Sequence, residues 1–183
     1  MSLASRVHHR FSVDEYDEMI ARGILDENDR VELIRGEIVD KMTIGDRHAA
    51  CVKRLNSLFQ ARSQGRWIVS VQDPVAFEDS KPEPDLALLQ PRGDFYADST
   101  PQASDILLVI EVADTSLDFD RDTKLSLYAE AGVAEYWIVN LTDSYVEVHR
   151  GPRSDGTYAD SQSVTKGGTV SFQGLDLSVD QLF

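Results

Sequence analysis

From Ile106 to Val112 every residue but one is apolar: Ile, Leu, Leu, Val, Ile, Glu, Val. A short run of this kind, rich in β-branched residues and lacking polar alternation, reads as a strand covered on both faces. The exception is Glu111, near the end of the run. Burying a carboxylate costs several kcal/mol unless it is paired, or else drives its pKa upward. The fold must therefore bring a compensating group to Glu111.

The next element suggests one. Asp118 or Asp120 is expected to cap a helix that runs through Lys124, Leu127, Tyr128 and Ala131 and stops at Gly132, which suits the left-handed position after a helix end. These four residues follow the i, i+3, i+4, i+7 spacing, so they form one stripe, and Lys124 lies on the core-facing side. Glu135 to Asn140, aromatic and β-branched, then reads as a strand. Strand, helix, strand is a βαβ unit, with a right-handed crossover expected.

With 183 residues, 42% of them hydrophobic and 27% charged, the chain is expected to form a single domain over 1–183, with a sizeable core and little disorder. Cys51 is the only cysteine, so no internal disulfide can form, and its place among the apolar positions of a helix marks it as core. The longest apolar run, Ile106 to Ile110, is too short to cross a bilayer. Met1 to Arg10 lacks the apolar segment of a signal peptide. No membrane association and a cytoplasmic location are expected. The net charge of −14, from 18 Lys and Arg against 32 Asp and Glu, repels nucleic acid globally. Arg6, His8, His9 and Arg10 cluster at the start, and Arg47, Lys53, Arg54, Arg62 and Arg66 lie in or beside one helix; most read as a solvated face balancing the acids.

Along the rest of the chain, Ser12 to Glu15 forms a capping-box pattern opening a short helix to Ala21, ended by Gly23. Arg30–Ile34 and Glu37–Met42 are strand-like runs joined at Arg35-Gly36, a hairpin. Glu32 alternates with Val31 and Leu33, so it reads equally as a solvent-facing strand residue. Val52, Leu55, Leu58 and Phe59 recur at helical spacing between Asp46 and Ala61, and His48 falls on the same face in the first turn. A histidine there is commonly a hydrogen-bonded core residue, although its place at a helix start allows a functional one. Arg66–Gln72 and Asp85–Leu89 read as strands, and 91–103 as a polar loop broken by Pro91, Gly93 and Pro101. Beyond Leu141 the pattern is short strands with turns, closing in a strand or helical turn over Leu175–Phe183. The chain shows no internal repeat, glycine-rich phosphate loop, paired-cysteine metal motif or serine-nucleophile motif.

Asp85 opening one strand, Glu111 ending the next and Lys124 early in the following helix are charged residues that look inward. Phosphodiester hydrolysis needs neutralisation of the phosphate, an activated water and stabilisation of the departing oxygen. A divalent metal held by two carboxylates supplies much of this, and a lysine can orient the water or stabilise developing charge. Asp and Glu oxygens suit Mg²⁺, which keeps several waters and needs few protein ligands. The same residues could equally form a metal-free buried ion pair.

The combination of Pro84-Asp85-Leu86-Ala87, Ile110-Glu111-Val112, Asp120-Arg121-Asp122-Thr123-Lys124-Leu125 and Tyr128 through Val139 resembles the Uma-type endonuclease family, within the PD-(D/E)xK or restriction-endonuclease-like superfamily. Glu32 to Val39 and the following His48 resemble its N-terminal motif, and the likeness extends from about residue 11 to residue 150. It implies an α/β fold with an αβββαβ core and a mixed central sheet, with the N-terminal helix, the hairpin and the late β-strands added around it. It also implies Asp85 and Glu111 as metal-binding acids, Glu32 as an additional acid near a Mg²⁺ or Mn²⁺ ion, and catalytic roles for Lys124 and His48. One departure stands out: the superfamily's E-x-K pattern would put lysine at 113, where this chain has Ala113, and the resemblance implies that the lysine has moved onto the next helix, with Lys124 as the candidate.

Three functions compete. The first is a Mg²⁺-dependent nuclease acting on DNA, ahead of RNA, whose acidic exterior implies salt-sensitive binding or a basic partner. The second is a non-enzymatic interaction or regulatory module, such as one half of a homodimer. The third is a metal-dependent hydrolase of a small phosphoester. Fold likeness does not separate them, because function resides in the site and its access.

Overall fold

The computed structural model describes residues 8–26 and 28–183; Arg6 of the N-terminal basic cluster and residues 1–7 of the Met1–Arg10 segment lie outside them. Helix α1 spans Val13–Ala21, its Ser12–Glu15 capping box formed in both directions. Strands β1 (Val31–Ile34) and β2 (Glu37–Asp40) make the expected hairpin, with Arg35 and Gly36 both at positive φ (51° and 75°), as a two-residue turn of this hand requires. Helix α2 (Asp46–Arg62) leads to β3 (Ile68–Ser70), β4 (Leu86–Leu89) and β5 (Ile106–Ala113). A composite helix follows, made of α3 (Leu117–Phe119), a π-helical turn over Asp120–Lys124 and α4 (Leu125–Glu130). Strands β6 (Glu135–Asn140), β7 (Tyr145–Pro152), β8 (Tyr158–Thr165), β9 (Thr169–Phe172) and β10 (Leu175–Ser178) complete the chain. Leu175–Phe183 thus supplies both a strand and a 3-10 turn, Val179–Gln181.

Strands β3 to β8 form one sheet in chain order, antiparallel throughout except for the parallel pair β5–β6. The order α2, β3, β4, β5, composite helix, β6 is the expected αβββαβ core. Strand β5 lies inside the sheet and is covered on both faces, which explains its nearly unbroken apolar run. Leu108, Ile110 and Val112 pack with Cys51, Leu55 and Phe59 of α2 and with Phe172 and Leu177 of the β9–β10 hairpin. Val109 and Ala113 pack on the other face with Tyr128, Tyr136 and Ile138. Burial pushes the Cys51 thiol up to about 12, in keeping with a packing role.

One expectation needs correction. The helix after β5 starts at Leu117 with Ser116 as its N-cap residue, so neither Asp118 nor Asp120 caps it. Asp120 lies within the helix and is 3% exposed, because the wide π turn carries it inward together with Lys124. Arg66–Gln72 also contributes only three strand residues.

Strand β7 holds two buried polar side chains, Glu147 and His149. Arg121 Nε donates to Glu147 Oε1 at 2.8 Å, and His149 Nε2 lies 3.4 Å from Oε2. Burial would raise the Glu147 carboxyl, but His149 and Arg121 more than offset it and hold it at about 2. A carboxyl depressed on folding stabilises the native state above its unfolded pKa and loses that contribution as pH falls through the folded one. Glu147→Gln is therefore expected to lower stability by about 2–3 kcal/mol at pH 7. Urea melts of the two proteins should converge as the pH is lowered from about 5 to 2.

Candidate active site

Between Ile110 and Val112, which face α2, the side chain of Glu111 must leave the opposite face of β5, toward the composite helix. There its Oε1 accepts from Lys124 Nζ at 2.9 Å and from Tyr128 Oη at 2.8 Å. Its Oε2 accepts from the Asp85 backbone N–H at 3.3 Å. The β4–β5 register, with Leu86 opposite Ile110, sets Asp85 beside Glu111. Asp85 Oδ2 accepts from the Val112 N–H at 2.8 Å and lies 2.9 Å from His48 Nε2, while Oδ1 accepts from Gln72 Nε2 at 3.2 Å. The hairpin brings Glu32, whose Oε2 accepts from the Glu83 N–H at 3.1 Å and whose Oε1 lies 3.4 Å from Lys124 Nζ. Asp120 Oδ2 accepts from Ser116 Oγ at 2.6 Å.

Four buried carboxylates, Glu32, Asp85, Glu111 and Asp120, thus gather around one buried lysine. Burial raises the Glu111 carboxyl, and Asp85, Asp120 and Glu32 add to the rise against the pull of Lys124. Asp120 is pushed up to about 6 by burial, again against Lys124. Burial works against the Lys124 ammonium, but Glu111, Glu32 and Asp120 outweigh it and hold Lys124 above its usual range. For His48 burial likewise acts downward, and the bond to Asp85 outweighs it, so its pKa is raised. His48 Nδ1 is buried without a hydrogen-bond partner among the described residues.

All five residues singled out from the sequence, Glu32, His48, Asp85, Glu111 and Lys124, line one cleft of about 550 Å³. Glu32 faces this cleft rather than solvent. Sequence reasoning missed three contributors. Asp120 lies four residues before Lys124, and i, i+4 spacing alone could have placed both on one face. Tyr128 appeared only as part of the apolar stripe. Gln72 had no signal, since it reaches Asp85 from a left-handed backbone (φ 57°) that strand periodicity does not foresee.

Among the described residues, no three His, Cys, Asp or Glu side chains converge closely enough to hold one ion together. The donor set nevertheless fits a hard divalent cation. It is all oxygen, it carries more carboxylates than its lysine can balance, and Mg²⁺ requires only one or two carboxylates plus water.

A mixed sheet with the αβββαβ order, carrying a buried acid–lysine cleft at the end of β5, defines a restriction-endonuclease-like protein. The chain belongs to the Uma2 family, described as "Putative restriction endonuclease", which matches residues 13–180. Among solved structures it is similar to the crystal structure of a "putative nuclease belonging to DUF820" from Anabaena variabilis ATCC 29413. The two share 19% identity at a TM-score of 0.72, over 94% of this chain and 97% of that one. No curated protein matches the chain. No helix of the described residues is long and apolar enough to cross a membrane.

Proposed function

We propose that the protein is a Mg²⁺- or Mn²⁺-dependent nuclease hydrolysing phosphodiester bonds of nucleic acid, with DNA ahead of RNA. The observation that carries this reading is the gathering of Glu32, Asp85, Glu111 and Asp120 around Lys124 at the floor of one cleft. Asp85 and Glu111 would hold the metal, with Glu32 as an additional acid beside it. When bound, the ion would neutralise the phosphate and lower the pKa of a water. Lys124, kept cationic by its carboxylate neighbours, presents an ammonium where charge builds on the phosphate. Asp120, which is not needed to hold the ion and whose carboxyl burial raises above its usual range, is the carboxylate placed to accept a proton beside it. His48 fixes Asp85 from one side and Gln72 from the other, so both act as positioning residues.

The net charge of −14 favours a second reading, a hydrolase of a small phosphodiester, which needs no extended basic surface. Plasmid, single-stranded DNA, RNA and bis(p-nitrophenyl) phosphate, incubated at low salt with Mg²⁺, Mn²⁺ or EDTA, separate the two. Metal-dependent cleavage of nucleic acid is the expected result. Hydrolysis confined to the small diester would replace the first reading with the second.

A further inference from the structure

The rim of the cleft differs in character from its floor. Met42 (51% exposed) and Ile44 (41% exposed) stand on the loop between β2 and α2, and Phe119 of the composite helix lines the same cleft. These two are among only five large apolar side chains left exposed on the described residues. Among the described residues, the rim offers few free cations and no row of them for a phosphate track. Lys41 is ion-paired with Glu83, and Arg47, just outside the cleft, lies 3.4 Å from Asp114. That leaves Arg30, donating to the neutral Met42 carbonyl at 3.3 Å, as the cation of the cleft mouth, while Asp40 adds a further carboxylate. The reactive groups lie deep, with Glu111 3% and Lys124 7% exposed.

Duplex recognition relies on several phosphates contacted at once by cations along a groove. A stiff duplex also holds its phosphates on the outside of a cylinder, away from a recessed floor. A single strand can fold one nucleotide inward, packing its base on aromatic and apolar side chains, an attraction that needs little positive charge. A cleft of about 550 Å³ is of the size that takes one small ligand or one inserted residue.

From this geometry we infer that the cleft takes single-stranded nucleic acid, one nucleotide of which packs against Met42, Ile44 and Phe119 while its phosphodiester reaches the carboxylate–lysine floor. The inference rests on the nuclease reading for taking the ligand to be a nucleic acid, and it adds the strandedness. DNA and RNA single strands share this chemistry.

Fluorescence anisotropy with a labelled DNA strand, its RNA counterpart and the same DNA annealed to its complement tests the inference without requiring turnover. At least one single strand is expected to bind about tenfold or more tightly than the duplex, with a shallow salt slope, about −1 to −2 in log K against log salt, as for one to three phosphates. The double variant Met42→Asp/Ile44→Asp should weaken that binding about tenfold or more, and Met42→Leu/Ile44→Leu should retain it. Both positions are exposed, so circular dichroism should match wild type. Duplex binding as tight as single-strand binding, or undiminished binding by the aspartate variant, would overturn the inference. Duplex cleavage at the single-strand rate would also overturn it while leaving the nuclease reading intact. Single-strand binding lost in the aspartate variant, with no nucleic acid cut in Mg²⁺ or Mn²⁺, would support the site and remove the nuclease reading.

Discussion

Lys124→Ala is expected to lower the unfolding free energy by about 3–5 kcal/mol, the usual effect of removing one partner from a buried ion pair. It is also expected to slow cleavage by at least about 10²–10³-fold. The stability loss follows from the geometry: Lys124 lies 2.9 Å from Glu111 and 3.4 Å from Glu32, all three nearly fully buried, so its removal leaves several carboxylates without a counter-charge. A melt of the alanine variant therefore cannot by itself distinguish a catalytic lysine from a structural one. Lys124→Arg can. It keeps the charge and should recover most of the stability, yet a planar guanidinium does not reproduce a compact ammonium at the same point. Urea melts and single-turnover rates on both variants are the measurement, and a fully active Lys124→Arg enzyme would reduce Lys124 to a counter-charge.

Glu111→Gln is expected to separate function from folding in the other direction. The amide keeps an oxygen to accept from Lys124 and Tyr128, whose bonds of 2.9 and 2.8 Å both go to Oε1, while its NH2 replaces Oε2 and gives up the long 3.3 Å bond from the Asp85 N–H. It removes one negative charge from a cluster in which burial and three carboxylate neighbours already oppose the ionised form. Stability at neutral pH should therefore fall by only about 1–2 kcal/mol, the cost of one weakened buried hydrogen bond and well below the loss expected for Lys124→Ala. Cleavage should fall by at least about 10²–10³-fold, since an amide oxygen is a much poorer ligand for a hard divalent cation. A collapse of the fold in this variant would show that the Lys124 pair depends on the Glu111 charge itself.

Most of the framework was legible because its signals are local. The apolar run of β5, the stripe from Lys124 to Ala131, the capping box at Ser12 and the Arg35-Gly36 turn each follow from spacing or from one residue's conformational preference, and each is found in place. Asp85 and Glu111 were visible as charges in runs too apolar to leave them in water. The missed features depend on geometry with no period. The π turn at Asp120–Lys124 breaks the helical register, so a helix start assigned from capping preference misplaced Asp120. Gln72 enters through a left-handed residue in a turn. Glu32 read equally well as exposed or buried until the hairpin was docked against the segment around Lys81, where the Lys81 N–H bonds to the Leu33 carbonyl at 2.7 Å.

The proposed function requires the carboxylate cluster at the end of β5 to take a divalent metal. Calorimetric titration of Mn²⁺ into wild type and Glu111→Gln, prepared in parallel and shown by circular dichroism to be equally folded, tests it most directly. The account predicts saturable binding by wild type, with a matching rise in Tm as Mn²⁺ increases, and neither effect in the variant. Equal heats and equal Tm shifts in the two proteins would contradict it.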